Sequence, residues 1–175
     1  MSQTPDTVTR LLAARAQLSS PALIERDRTI AYAAIEDEAK RVAAGFARLV
    51  LGRGDRVALW LPNVPAWLAC FFACAQLGAI AVSVNTRFRS HEVADIVGRS
   101  GARLLVFWPG FKGIDFTGVL AACDPVALQH LETVVAYSED GATPAASFLG
   151  KPCVDYAELA SRAPLEQDYS HPDDG

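Results

Sequence analysis

The chain has 175 residues, 51% of them apolar and 21% charged, with a formal charge of −4 at neutral pH. That length can bury one sizeable core, and the composition excludes an intrinsically disordered chain. The acidic balance leaves no basic excess to favour nucleic acid or an anionic membrane surface as a partner.

The opening MSQTPDTVTRLLAARAQ lacks the basic and then apolar regions of a secretory signal, so a cytoplasmic location is expected. A first helix is predicted over Thr7 to Gln17. PALIERDRTIAY then offers two short strands, Ala22 to Glu25 and Thr29 to Ala31, around an Arg26-Asp27 turn, which reads as a β-hairpin. Ile35, Ala39, Val42, Ala43, Phe46, Leu49 and Val50 recur at steps of three and four, so Ala33 to Leu51 should be an amphipathic helix ended by Gly52.

RVALWL from Arg56 is the next strand, and Asn63 is a candidate N-cap for a helix carrying Pro65 in its first turn. Val64 to Val84 is nearly long and apolar enough to span a bilayer, with Gln76 and Ser83 its only polar side chains. Gly78 divides this run into a buried helix and a buried parallel strand, AIAVSVN, so no transmembrane segment is expected. Ser90 can cap a helix to about Arg99, with Glu92 in its first turn. ARLLVFW from Ala102 is a third strand, followed by helix-rich FTGVLAAC and PVALQHLE, a fourth strand TVVAYS, and a short helix DYAELAS.

This βαβαβαβ order predicts an α/β fold: an open, mostly parallel sheet with helices on both faces, plus a short N-terminal hairpin. Ligands of such sheets bind outside the carboxyl ends of the strands. LPNVP, NTRFRS and WPGFKG therefore fall on the functional edge.

Those segments hold no obvious nucleophile. Cys70, Cys74, Cys123 and Cys153 form no Cys-x-x-Cys pair or zinc spacing, and Cys70 and Cys74 sit among Phe71, Phe72 and Ala73 as small core residues. His91, His130 and His171 are scattered and suggest no triad. Neither G-x-G-x-x-G after a strand nor G-x-x-x-x-G-K-[ST] is present. Arg87 and Arg89 read as solvated arginines that fix a turn, although either could hold an anion. Lys112, between Gly110 and Gly113, could meet a phosphate approaching the backbone closely. Trp60, Trp67 and Trp108 read as core anchors rather than base-stacking platforms. No catalytic, cofactor-binding or metal-ligating residue is assigned.

RTIAYAAI, GDRVALWLPNVPAW, CAQLGAIAVSVNTRFRSHEVADIVGRSGARLLVF and FKGIDF, in this order and spacing, resemble the N-terminal part of AMP-forming acyl-CoA synthetases. This is the acyl-adenylate-forming superfamily, and the likeness runs from about Thr7 to Asp174. FKGIDF resembles the version in ligases for medium-chain, alicyclic or aryl acids. The resemblance implies that a carboxylic acid is activated by ATP to an acyl-adenylate, which coenzyme A then intercepts, with Mg²⁺ neutralising the phosphates.

The family's Ser/Thr/Gly-rich phosphate loop, Tyr-Thr-Glu segment, ribose-binding Asp and C-terminal-domain Lys do not occur in these residues, and YSHPDDG resembles the lead-in to that loop. Residues 1–175 are thus expected to form one N-terminal α/β subdomain of a larger ligase, inactive alone and with no cofactor bound. Thr86 stands where the family often has Pro, and Ala31 where a Ser or Thr often caps the long helix, a weakening of about 1 kcal/mol. Lys112 is the residue nearest to where relatives bring basic groups toward the coenzyme A 3′-phosphate. Two alternatives remain: an autonomous flavodoxin-like module for a small anionic ligand, and an oligomerisation domain in which a homo-oligomer covers an exposed sheet edge.

Overall fold

The computed structural model describes residues 7–25, 28–141 and 144–165. Helix α1 (Val8–Ala16) is capped by Thr7, whose hydroxyl accepts from Arg10 N at 3.3 Å. Strands β1 (Pro21–Glu25) and β2 (Arg28–Ala31) form the expected antiparallel hairpin, with its register shifted between Pro21 and Leu23. The Arg26-Asp27 turn lies outside the described residues.

Helix α2 (Tyr32–Arg48) follows the apolar period foreseen, but its end differs. Val50, not Gly52, takes the left-handed conformation, at φ 59°. Leu51 N donates to Phe46 O and Val50 N to Ala47 O, the paired bonds of a Schellman ending. Gly52 N is engaged by the Asp55 carboxylate at 2.9 Å, which fixes the next turn instead.

Strand β3 (Arg56–Trp60) leads into α3 (Pro65–Gln76), and β4 (Ile80–Ser83) follows. Val64 occupies the N-cap position of α3, without a side-chain cap. Asn63 lies one residue too early to fill it. Gly78, at φ 64°, breaks the apolar run as expected. Among the described residues no helix is long and apolar enough to cross a membrane. One expectation fails here: β4 is the sheet edge, with Ile80 52% exposed, rather than a strand buried on both sides.

Helix α4 (Ser90–Ser100) starts with Ser90 as its first helical residue, and the cap position belongs to Arg89. Glu92 reaches back to accept from Arg89 N at 3.0 Å, so the acidic residue does the capping assigned to Ser90. After β5 (Leu104–Phe107), a 3₁₀ turn (Phe111–Gly113) leads to α5 (Phe116–Ala121), capped by Asp115.

PVALQHLE is not a continuous helix but a series of turns, with bonds from Leu128 N to Pro125 O and Gln129 N to Val126 O. Leu128 and Leu131 are buried but Val126 is 68% exposed, so the apolar residues present no continuous helical stripe to the core. The loop also lies so close to α4 that a Cβ on Gly98 would meet Ala127 O at 2.6 Å. Strand β6 (Thr133–Ala136) is not the last: β7 (Ser147–Phe148) and β8 (Lys151–Asp155) follow, and then α6 (Tyr156–Ala160), capped by Asp155. Pro152 and Gly150 disguised this hairpin, because neither favours a strand interior.

The sheet order is β4-β3-β5-β6-β8-β7, parallel except for β7 against β8. Alternate strand residues bury toward opposite faces. Val57, Leu59, Leu104, Val106 and Val135 pack under α2, α3 and α6. Ala58, Trp60, Leu105, Phe107 and Val134 pack under α4 and α5. The α/β class, the helices on both faces and the hairpin all agree with the sequence.

Candidate functional site

From β3 the chain crosses to β4 on one side, then returns past β3 to β5 on the other. The connections therefore diverge at β3 and β5, and this is where an open α/β sheet leaves a crevice at its carboxyl edge. A cavity of about 1030 Å³ lies there. Leu61, Pro62, Asn63 and Val64 line it after β3, with Trp67 from α3. Ser83 to Thr86 line it after β4, Trp108, Phe111 and Lys112 after β5, Glu139 after β6, and Arg28 from the hairpin. All three segments that the sequence placed on the functional edge reach the site.

Its floor is fixed by the end of β4. Asn85 O accepts from Trp60 Nε1 at 3.1 Å and from Phe88 N at 3.0 Å, while Asn85 Oδ1 accepts from Arg87 N at 2.9 Å. A short polar side chain is needed here to hold its own backbone in a turn. Arg89 Nη1 donates to Arg87 O and Phe88 O, each at 3.2 Å, so this guanidinium fixes the turn as expected. Arg87 is exposed and does not line the cavity.

The far wall is aromatic. Trp108 meets Phe111 at 5.1 Å and, edge to face, Tyr137 at 5.2 Å between ring centroids. Lys112 Nζ lies 5.3 Å from the Phe111 centroid, and Lys112 takes a left-handed φ of 52° that its side chain tolerates poorly. Burial, with Glu139 nearby, pushes the Tyr137 hydroxyl up to about 12, so it stays a neutral donor. Arg28 and Lys112 against Glu139 leave the charged lining with one excess positive charge.

The opposite, amino edge of the sheet carries the fasteners. Arg56 donates to Ser100 O, Gly101 O and Gly54 O, at 2.8, 3.2 and 3.0 Å. Arg103 bridges Asp55 and Glu132, with N···O distances of 2.8 Å to each. Structural ties gather at one edge and the crevice opens at the other.

Among the described residues, the cysteines and histidines weighed from sequence do not join the site. Cys70 and Cys74 are buried in the core on the inward side of α3. Burial pushes the Cys70 thiol well up and that of Cys74 up to about 12. Cys123 is tied to Ser90 O at 3.3 Å, and burial lifts Cys153 to about 11, so none is an activated nucleophile. His91 and His130 are exposed, and His171 lies outside the described residues. Trp60 is a core anchor as expected, whereas Trp67 and Trp108 also face the cavity. Sequence reasoning missed Arg28 and Glu139, because only the docking of the hairpin and the β6 end beside β5 brings them there. Asn63 was noticed, but as a cap.

The AMP-binding enzyme family profile matches residues 12–174. The chain is 32% identical over 149 residues to a methyl-dioxo-octahydroindenyl-propanoyl:CoA ligase of Mycobacterium tuberculosis, covering 85% of this chain and 29% of that protein. It is 32% identical over 103 residues to human medium-chain acyl-CoA ligase ACSF2, mitochondrial, covering 59% of this chain and 17% of the relative. The fold superposes with a TM-score of 0.73 and 27% identity on the anthranilate CoA ligase AuaEII in complex with anthranoyl-AMP, covering 94% of this chain and 29% of that one. The chain thus spans under a third of the length of the curated relatives it matches.

Proposed function

The chain belongs to the AMP-binding enzyme family, and we propose that it serves as the N-terminal α/β unit of a longer AMP-forming carboxylic acid–CoA ligase. In the reaction proposed, a carboxylate oxygen attacks the α-phosphate of ATP and expels pyrophosphate. The thiol of coenzyme A then attacks the acyl carbon and AMP leaves. The observation that carries this reading is the family match across nearly the whole chain, on a fold shared with an anthranilate CoA ligase.

In this reading the crevice contributes binding rather than chemistry. Trp67, Trp108 and Phe111 offer apolar wall to an organic group, and Lys112 and Arg28 offer charge to a carboxylate or phosphate. A metal–triphosphate site is a different matter. Among the described residues no three His, Cys, Asp or Glu side chains gather, and Glu139 is the crevice's one carboxylate side chain. These residues do not fit Mg²⁺ with ATP, and no phosphate step is routed through them. ATP, Mg²⁺ and the adenylate belong, in this proposal, to other parts of the longer polypeptide. The four free cysteines accord with a cytoplasmic, reducing setting, which subcellular fractionation would check.

Titration calorimetry of the 175-residue chain with ATP, and with a non-hydrolysable acyl-adenylate analogue, should show no binding. Micromolar binding of either would overturn the dependence on a longer chain and favour the autonomous module. The product of the full reading frame that contains this sequence should release pyrophosphate only when a carboxylic acid is supplied. A second reading, self-association, rests on the exposed edge strand β4 and its Ile80. Light scattering that finds a monomer at high concentration would remove it.

A further inference from the structure

The aromatic wall of the crevice continues inward as an unbroken side-chain chain. Trp108 meets Tyr137 edge to face at 5.2 Å and 83°, and Tyr137 meets Tyr156 at 5.2 Å and 81°. The Tyr156 hydroxyl donates to Glu38 Oε1 at 2.6 Å. These four residues come from the end of β5, the end of β6, the start of α6 and the middle of α2. We propose that Glu38, a residue of α2 that does not line the cavity, is a positioning residue for the crevice, setting the orientation of Trp108 through Tyr156 and Tyr137.

Three observations support this. Trp108 is only half-buried, and its ring is held by aromatic contacts with Phe111 and Tyr137 rather than by a hydrogen bond from its indole nitrogen. An edge-to-face contact is directional, so a turn of the Tyr137 ring is passed to its neighbour. Tyr156 is buried, 5% exposed, so its hydroxyl needs a partner, and Glu38 supplies it with a short charge-assisted bond. Without that bond nothing but packing fixes the Tyr156 ring plane. The functional meaning of the wall rests on the crevice reading above, whereas the positioning itself does not.

The test uses the 175-residue chain labelled with 5-fluorotryptophan. It contains three tryptophans, and Trp108→Phe assigns one ¹⁹F resonance. In Glu38→Leu and in Tyr156→Phe the Trp108 signal should shift or broaden. The signal of Trp60, buried on the other face against Phe107 and Phe116, should hold its place. Glu38→Gln keeps an acceptor oxygen and should restore the wild-type position. An unmoved Trp108 signal in Tyr156→Phe, which retains the ring and so serves even if Glu38→Leu fails to fold, would overturn the proposal. A signal of Trp60 that moves in step with that of Trp108 would do the same, because it would mean general loosening. Micromolar binding of ATP or of the acyl-adenylate analogue by this chain would defeat the reading above while leaving the coupling intact.

Discussion

Val50 carries a β-branched side chain in the left-handed region and is 75% exposed, so it gains little packing for the strain. Val50→Gly should therefore stabilise the chain by about 1 kcal/mol and raise Tm by roughly 2–4 °C in thermal unfolding. Arg103 works in the other direction. Its hydrogen bonds hold the Glu132 carboxyl below its ordinary 4.5. For Asp55, burial pulls upward, but the Gly52 amide and Arg103 outweigh it and leave the group below 3.8. Depressed carboxyls stabilise the fold above their unfolded values, and that share is lost as pH falls through the folded ones. Arg103→Met should cost about 1 kcal/mol at pH 7, a modest figure because the pairs are partly exposed. The gap to the parent, measured by urea unfolding, should stay level down to about pH 5 and narrow below pH 4. The sequence placed Val50 in the apolar stripe of the helix, and the more permissive Gly52 two residues later drew the helix end away from it. Whichever residue reverses the chain is decided by where Leu51 must enter the core.

At the scale of elements, the α2 start was legible to within one residue, Ala33 being expected and Tyr32 found. Ala31 occupies the N-cap with an extended backbone and no side-chain bond, and the first turn holds no acidic residue. Ala31→Ser should add about 1 kcal/mol, read as a higher denaturation midpoint at unchanged urea m-value. An unchanged midpoint would show that the β2 pairing of Ala31 with Pro21 denies the side chain its capping geometry. Helices with a strong apolar period, α2 and α4, were readable because one face meets the sheet. The 125–130 turns and the β7–β8 hairpin were not, because their form depends on neighbours. Gly98 lets the loop approach α4, and β6 supplies the ladder that β8 joins.

For the whole molecule, the two-sided core explains the quiet cysteines. Cys70 and Cys74 lie on the buried side of α3 against one face of the sheet, and Cys123 belongs to the other. With all four thiols pushed above their ordinary value by burial, no fast-reacting thiol is expected at pH 8. A thiol-disulfide reagent such as DTNB should label the native chain slowly and all four cysteines at once in denaturant. One equivalent of rapid labelling would contradict the burial described.

The sequence by itself determined the class of fold, the helices on both faces, the division of the long apolar run at Gly78, and the segments that meet at the carboxyl edge. Periodicity, caps and glycine conformations are local properties, and strand ends follow from strand order. Only the tertiary structure decided that β4 is the edge, that β8 extends the sheet, and that Arg28, Trp67, Trp108 and Glu139 share one crevice. Strand neighbours and crevice walls are made by residues far apart in the chain. Their meeting depends on how the sheet packs between two layers of helices, which no local pattern records.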